Sequence, residues 1–175
     1  MEEAPAYPMA PTEQSHATRR ALVRLGASVF TAGTIVVLDQ VTKRLAEYYL
    51  LQRPDGSISI VGELLRLTYV ANRGAAFGIL QNQGILFVIV GIAVIGAILV
   101  SYRYFPKMSL LLNIAIGLQL GGAIGNLMDR IRFGYVVDFI DVAIWPVFNV
   151  ADSAIVVGVG VLAFHLMKGS DERDG

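Results

Sequence analysis

The chain has no cysteine in its 175 residues. That excludes disulfides, a thiol nucleophile and any thiolate-held metal. Histidine is nearly as scarce, since His16 and His165 alone cannot furnish an ordinary zinc site. Charge is sparse as well, at 16% of residues against about 25% in an ordinary soluble domain. Formal net charge is zero, so no basic field draws nucleic acid. What replaces these groups is apolar: 55% of residues are hydrophobic and mean hydropathy is +0.60. One small soluble core cannot bury that much apolar surface, so lipid must solvate part of it. The length suits a single domain. Residues 1–18, with Pro5, Pro8, Pro11, Glu2, Glu3 and Glu13, read as a disordered tail and not as a cleavable signal peptide.

A spanning helix needs about 20 mostly apolar residues, and four segments qualify. They run from about Leu25 to Leu50, Gly84 to Tyr102, Met108 to Met128 and Val147 to Met167. Trp145-Pro146 suggests the start of the last, because proline fits a first helical turn. Residues 51–83 form a longer connection. Within it Ser57-Ile58-Ser59-Ile60 and Leu65-Arg66-Leu67-Thr68-Tyr69-Val70 alternate polar and apolar around Gly62 and Glu63, which predicts a small β-hairpin. Residues 129–146 are read as a second loop. The expected organisation is an all-α membrane protein of four transmembrane helices with a small extracytoplasmic β-cradle. Residues 1–20 form a cytoplasmic tail, 21–168 the helical domain and 169–175 a second cytoplasmic tail. Lys and Arg divide seven against seven between the two faces, so a bare count does not orient the chain. Arg19, Arg20 and Arg24 flank the first span directly and place the termini in the cytoplasm.

Acids near a membrane are expensive and each needs a reason. On the four-span arrangement Asp39, Asp129, Asp138, Asp141 and Asp152 all fall at one face. A structural layer of ion pairs is the bland reading, and for Asp39 with Lys43, four apart on one helical face, it is preferred. Gly117, Gly121 and Gly125 form a small-xxx-small ridge suited to close helix packing. Asn126 and Arg130 share a helix face and could serve the backbone or a substrate. Ser153 tempts as a nucleophile, but His165 lies twelve residues along the same helix, about 18 Å away and out of reach as its base. Two carboxyls and one water suffice for peptide hydrolysis. Close acids cannot both ionise cheaply and share a proton, so that one activates water while the other serves the scissile carbonyl. Asp138, inside the apolar run Tyr135-Val136-Val137-Asp138-Phe139-Ile140, and Asp152, at the start of a span, fit this need. Both settings favour raised pKa values. Asp129 and Asp141 stay open on this logic alone.

Four strings then bear on family. They are Leu38-Asp39-Gln40-Val41-Thr42-Lys43; Asn72-Arg73-Gly74-Ala75-Ala76-Phe77-Gly78; Gly125-Asn126-Leu127-Met128-Asp129-Arg130 with Val136-Val137-Asp138-Phe139; and Phe148-Asn149-Val150-Ala151-Asp152-Ser153-Ala154. In this order, over roughly Leu25 to Met167, the chain resembles lipoprotein signal peptidase, also called signal peptidase II. The resemblance implies that Asp138 and Asp152 are catalytic, with supporting or substrate-contacting roles for Asp39, Lys43, Asn72, Gly74, Asn126, Arg130 and Asn149. It implies no metal or cofactor. It also implies a monomeric enzyme of the bacterial cytoplasmic membrane, with its active site near the outer face. Its substrate would be a prolipoprotein whose cysteine already carries diacylglycerol, cut just before that cysteine, with membrane lipid around it. By the same likeness residues 51–83 form the β-cradle with an amphipathic segment over the site. The rival from another class is a small proton-coupled transporter. That reading would want an acid near the bilayer midplane with access from both sides, whereas these acids gather at one face.

Overall fold

The structure is a computed structural model, and it describes residues 13–74, 83–104 and 109–171. Four helices are present among them: α1 Glu13–Leu50, α2 Gly84–Tyr104, α3 Leu110–Phe133 and α4 Val150–Asp171. Three strands, β1 Ser57–Val61, β2 Leu65–Asn72 and β3 Val136–Asp141, form one antiparallel sheet in the order β1-β2-β3.

The apolar surface is not hidden inside protein. Phe30 is 76% exposed, Val156 70% and Phe164 69%, and a surface of that kind is what lipid solvates. Leu25–Leu50 and Leu110–Phe133 are long and apolar enough to cross a membrane, while Gly84–Val100 and Val150–His165 are shorter apolar stretches.

Glycine sets how closely the helices approach. A Cβ at Gly117 would fall 2.7 Å from the Ser28 carbonyl oxygen, and one at Gly121 would fall 2.7 Å from that of Ala32. On the α4 side, a Cβ at Gly158 would lie 2.6 Å from the Ala115 carbonyl oxygen. The ridge expected from Gly117, Gly121 and Gly125 therefore does pack helices, as small residues do where backbones must nearly touch. Ser28 adds a polar clamp by donating its hydroxyl to the Asn113 carbonyl at 2.7 Å. At the other end of α1, Ala46 and Leu50 pack on Phe139, with Ile58, Leu67 and Tyr69 around them. This cluster seats the sheet on the end of α1.

Several boundaries differ from the sequence reading. Helix α1 begins at Glu13, so residues 13–20, expected within a tail, have helical backbone. Helix α3 continues past Met128 to Phe133 and stops at Gly134, whose φ of 77° provides the left-handed cap and whose N–H bonds the Arg130 carbonyl. Residues 129–146 are thus not one loop, since they hold the last turn of α3 and strand β3. Val136, Val137, Asp138 and Phe139 are all buried, so the strand is covered on both faces and shows no alternation to read. Helix α4 starts at Val150 and not near Pro146, because Asn149 supplies the cap described below. The hairpin expected at 57–60 and 65–70 is present as β1 and β2.

Packing this close can be tested directly. Gly117→Ala should lower stability by about 1–3 kcal/mol through overpacking. Gly33→Ala, where an added Cβ meets nothing within 4 Å, should be neutral or gain up to about 1 kcal/mol of helix propensity. Thermal unfolding in detergent reads both; equal effects would show that the glycines do not set the helix spacing.

Candidate active site

The end of α1, the end of α3, strand β3 and the start of α4 meet around one buried ammonium. Lys43 is 3% exposed and Asp39 and Asp129 are 0% and 2% exposed. The Lys43 Nζ lies 2.8 Å from Asp39 Oδ2 and 2.8 Å from Asp129 Oδ2, and it donates to Asn126 Oδ1 at 2.9 Å. Three acceptors use the three donors an ammonium has. Asp39 reaches onward, since its Oδ1 accepts the Ala151 N–H of α4 at 3.0 Å. Asp129 accepts the Val137 N–H of β3 at 3.2 Å and the Gln40 side-chain amide at 2.9 Å. Gln40 in turn accepts from Arg132 at 2.9 Å. Gly125 leaves the room for this, as a Cβ there would lie 2.6 Å from Asp39 Oδ2.

Helix α4 opens with a reciprocal cap. The Asp152 N–H donates to Asn149 Oδ1 at 2.9 Å, and the Asn149 N–H donates to Asp152 Oδ2 at 3.2 Å. This is a capping box with aspartate at the third position. The other Asp152 oxygen accepts Asn126 Nδ2 at 2.7 Å. Negative charge on Asp152 therefore faces two N–H donors and the positive end of a helix.

Asp138 sits opposite, 2% exposed in β3. Its Oδ2 accepts Asn72 Nδ2 at 2.8 Å and its Oδ1 accepts Asn149 Nδ2 at 2.7 Å. Gly74 fixes the Asn72 amide by donating its N–H to Asn72 Oδ1 at 3.0 Å. Burial pushes the Asp138 carboxyl up to about 7, and the neighbouring Asp152 adds to the rise against the pull of the Asn72 and Asn149 hydrogen bonds. Asn149 thus holds both carboxyls, one by its backbone and one by its side chain. It also donates to Asn126 Oδ1 at 3.1 Å, which closes the network back to Lys43.

The guanidinium of Arg130 lies 4.9 Å from the centre of the Phe87 ring and interacts electrostatically with Asp152, Asp138 and Asp129. Asp141 stands apart at the far end of β3, where it accepts the Thr68 hydroxyl at 3.0 Å. The Ser153 hydroxyl is committed to the Asn149 carbonyl at 3.0 Å, which leaves the serine reading without a free nucleophile. A cavity of about 420 Å³ lined by Arg73, Gln83, Gly84, Ile85, Phe133 and Gly134 lies at the junction of β2, α2 and α3.

Known proteins resemble this chain in sequence and in fold. The profile of the family described as signal peptidase (SPase) II matches residues 31–168. The chain belongs to the signal peptidase II family. A relative named lipoprotein signal peptidase from Moorella thermoacetica is 47% identical over 139 residues, covering 79% of this chain and 91% of the relative. One of the same name from Caldanaerobacter subterraneus subsp. tengcongensis is 50% identical over 134 residues, covering 76% and 90%. A solved structure described as a bacterial membrane enzyme is 34% identical with a TM-score of 0.75, covering 84% of this chain and 91% of that one.

Of the residues proposed from the sequence, Asp39, Lys43, Asn72, Gly74, Asn126, Asp138, Asn149 and Asp152 fall in one connected network. The sequence reading leaves Asp129 open as an acid and outside the supporting set, and it does not single out Gln40. Both join the network. Asp129 is three residues from Asn126 on the same helical face, and that spacing is the available signal. The string at Asn72 continues through residues 75–78, which lie outside the described residues.

A buried cation with two buried carboxylates should be intolerant of losing its charge. Lys43→Met should cost about 3–5 kcal/mol because Asp39 and Asp129 are left uncompensated. Arg44→Met, at an exposed position, should stay within about 0.5 kcal/mol. Melting of the purified variants distinguishes them, and a Lys43 variant as stable as the parent would refute the hub assignment.

Proposed function

We propose that the chain is an aspartyl endopeptidase that removes the signal peptide from diacylglyceryl-modified prolipoproteins, cutting just before the lipidated cysteine. The family and the names of the relatives support the substrate class. The observation that carries the mechanism is Asn149, which bonds both Asp138 and Asp152 while burial and the neighbouring carboxylate raise Asp138 to about 7. Asp138 then keeps the shared proton near neutrality, and Asp152 is the base.

Water is the nucleophile. Asp152 takes a proton from it as the oxygen attacks the scissile carbonyl carbon. Asp138 gives its proton to the carbonyl oxygen, forming a neutral tetrahedral diol. On collapse a diol proton returns to Asp138, the C–N bond breaks, and Asp152 delivers its proton to the leaving amine. Asn72, Asn126 and Arg130 are donors suited to an extended peptide. The chemistry requires only two carboxyls and water. All four helices would span the bacterial cytoplasmic membrane, with both termini in the cytoplasm, the site near the outer face, and residues 21–168 acting as one monomeric domain between short tails. A transporter would want an acid near the bilayer midplane with access from both sides, whereas Asp138 lies in a strand and Asp152 at the start of a helix.

The test is cleavage of a lipopeptide by the reconstituted protein. Asp138→Asn and Asp152→Asn should each abolish it in a folded protein, while Asp141→Asn keeps substantial activity. A peptide lacking the diacylglyceryl group should be a poor substrate, because the acyl chains hold the peptide at the site while remaining in lipid. Activity surviving in Asp138→Asn but lost in Asp141→Asn would overturn the assignment.

The pH profile follows from the same pair. The raised value belongs to an acid that must be protonated to act, so kcat/KM should fall as pH rises through about 7. It should also fall at acid pH when the base is protonated, giving a bell whose two limbs belong to the pair. A rate that climbs steadily into alkali, with the fold intact, would exclude this mechanism.

A further inference from the structure

Between β3 and α4 the chain reads Val142-Ala143-Ile144-Trp145-Pro146-Val147. Loops are normally polar because they face water, yet no charged or hydroxyl side chain occurs here. Ile144 is 95% exposed and Trp145 is 59% exposed. Ala143 has a φ of 30°, in a region that residues other than glycine rarely enter, and the Trp145 N–H closes the turn on the Val142 carbonyl at 3.2 Å. The turn thrusts its two largest apolar side chains outward.

The base of this loop is clamped. Phe139 and Ile140 N–H groups both donate to the Phe148 carbonyl, at 3.0 and 2.8 Å, and the Phe148 N–H donates to the Ile140 carbonyl at 3.0 Å. Asp138 lies just before the clamp, and Asn149 and Asp152 follow just after it. The clamp therefore ties the loop by short backbone segments to the two elements that carry both carboxyls.

We propose that the Ile144–Trp145 tip is an interfacial anchor seated among bilayer lipids at the headgroup boundary, where it fixes the depth of Asp138 and Asp152. Lipid is the occupant for three reasons. The loop leads through Phe148 and Asn149 into α4, whose Val156, Val157 and Val159 are exposed, so exposed apolar side chains lie on both sides of the helix start. Tryptophan, with an apolar ring system and one N–H, is suited to the membrane–water boundary. A second protein copy would need about 1,000 Å² of contact, and two partly exposed side chains fall well short of that. The proposal rests on the membrane reading of the helices and not on the peptidase reading.

Trp145 is the only tryptophan of the chain, so emission from the unmodified full-length protein reports this loop alone and requires no turnover. The protein is placed in phosphatidylcholine–phosphatidylglycerol vesicles with acyl chains brominated either near the headgroup or near the chain end. Emission should be lost most strongly to bromine near the headgroup, with little loss to aqueous iodide. Strong iodide quenching without bromolipid quenching would put the loop in water and overturn the anchor. Strongest quenching by chain-end bromine would overturn the boundary placement. Iodide access that appears only on dilution in lipid would identify a second copy as the cover, and protection that appears only with added lipopeptide would identify substrate; either result overturns the proposal.

Discussion

The ammonium of Lys43 is the constraint on which the site depends. It is buried against Asp39, Asp129 and Asn126, and an ion in such a place is tolerable only if every donor is used. Each partner then passes the constraint outward. Asp39 ties the start of α4, Asp129 ties β3, and Asn126 orients toward Asp152. Removing the charge would not merely delete a contact, because four elements take their mutual position from it. The glycines of α3 serve the same constraint. Gly125 leaves space for the Asp39 carboxylate, and Gly117 and Gly121 bring α1 close enough for Lys43 to reach across.

Folding and the proposed chemistry use the same atoms at the start of α4. Asp152 completes the cap of its own helix and offers its other oxygen to Asn126. The N–H groups at a helix start lack partners within the helix, and the Asp152 carboxyl supplies one while Arg130 lies within electrostatic reach. Asp138 has the opposite setting, in a strand covered on both faces, where burial disfavours its charge. Two identical side chains thereby sit in different surroundings, one in a buried strand and one in a helix cap. On the proposed mechanism, a difference in surroundings of this kind would let one member act as base and the other as acid.

Much of this is legible in the sequence because the chemistry concentrates in short strings. The gathering of acids at one face follows from placing four apolar segments, and the hairpin from alternation in residues 57–70. Strand β3 is not legible, because a strand buried on both sides carries no period, and Val136-Val137 with Phe139-Ile140 reads equally as apolar loop. The start of α4 is misplaced from sequence because Pro146 is a visible helix signal while the Asn149–Asp152 box is a weaker one. In the structure the box wins, since residues 142–147 turn sharply before the helix begins. Asp129 can be seen as an acid but not as a partner of Lys43, because the pair is 86 positions apart and joined only by helix packing.

The position of the network at helix ends has a physical logic of its own. Hydrolysis needs water at the carboxyls, and in the hydrocarbon centre every unpaired polar group is costly. An extended peptide also needs partners for its backbone, which lipid cannot offer. At the end of a bundle both demands are met by a small sheet, and β3 supplies one of the two carboxyls from that sheet while α4 supplies the other from a helix start. On the proposed membrane arrangement the pair would lie at the junction between membrane-embedded and water-facing structure. Under the proposed function a lipid-bearing substrate would leave its acyl chains in the bilayer and bring only its peptide to that junction, so that membrane attachment would concentrate the peptide at the site and its own contacts could be few.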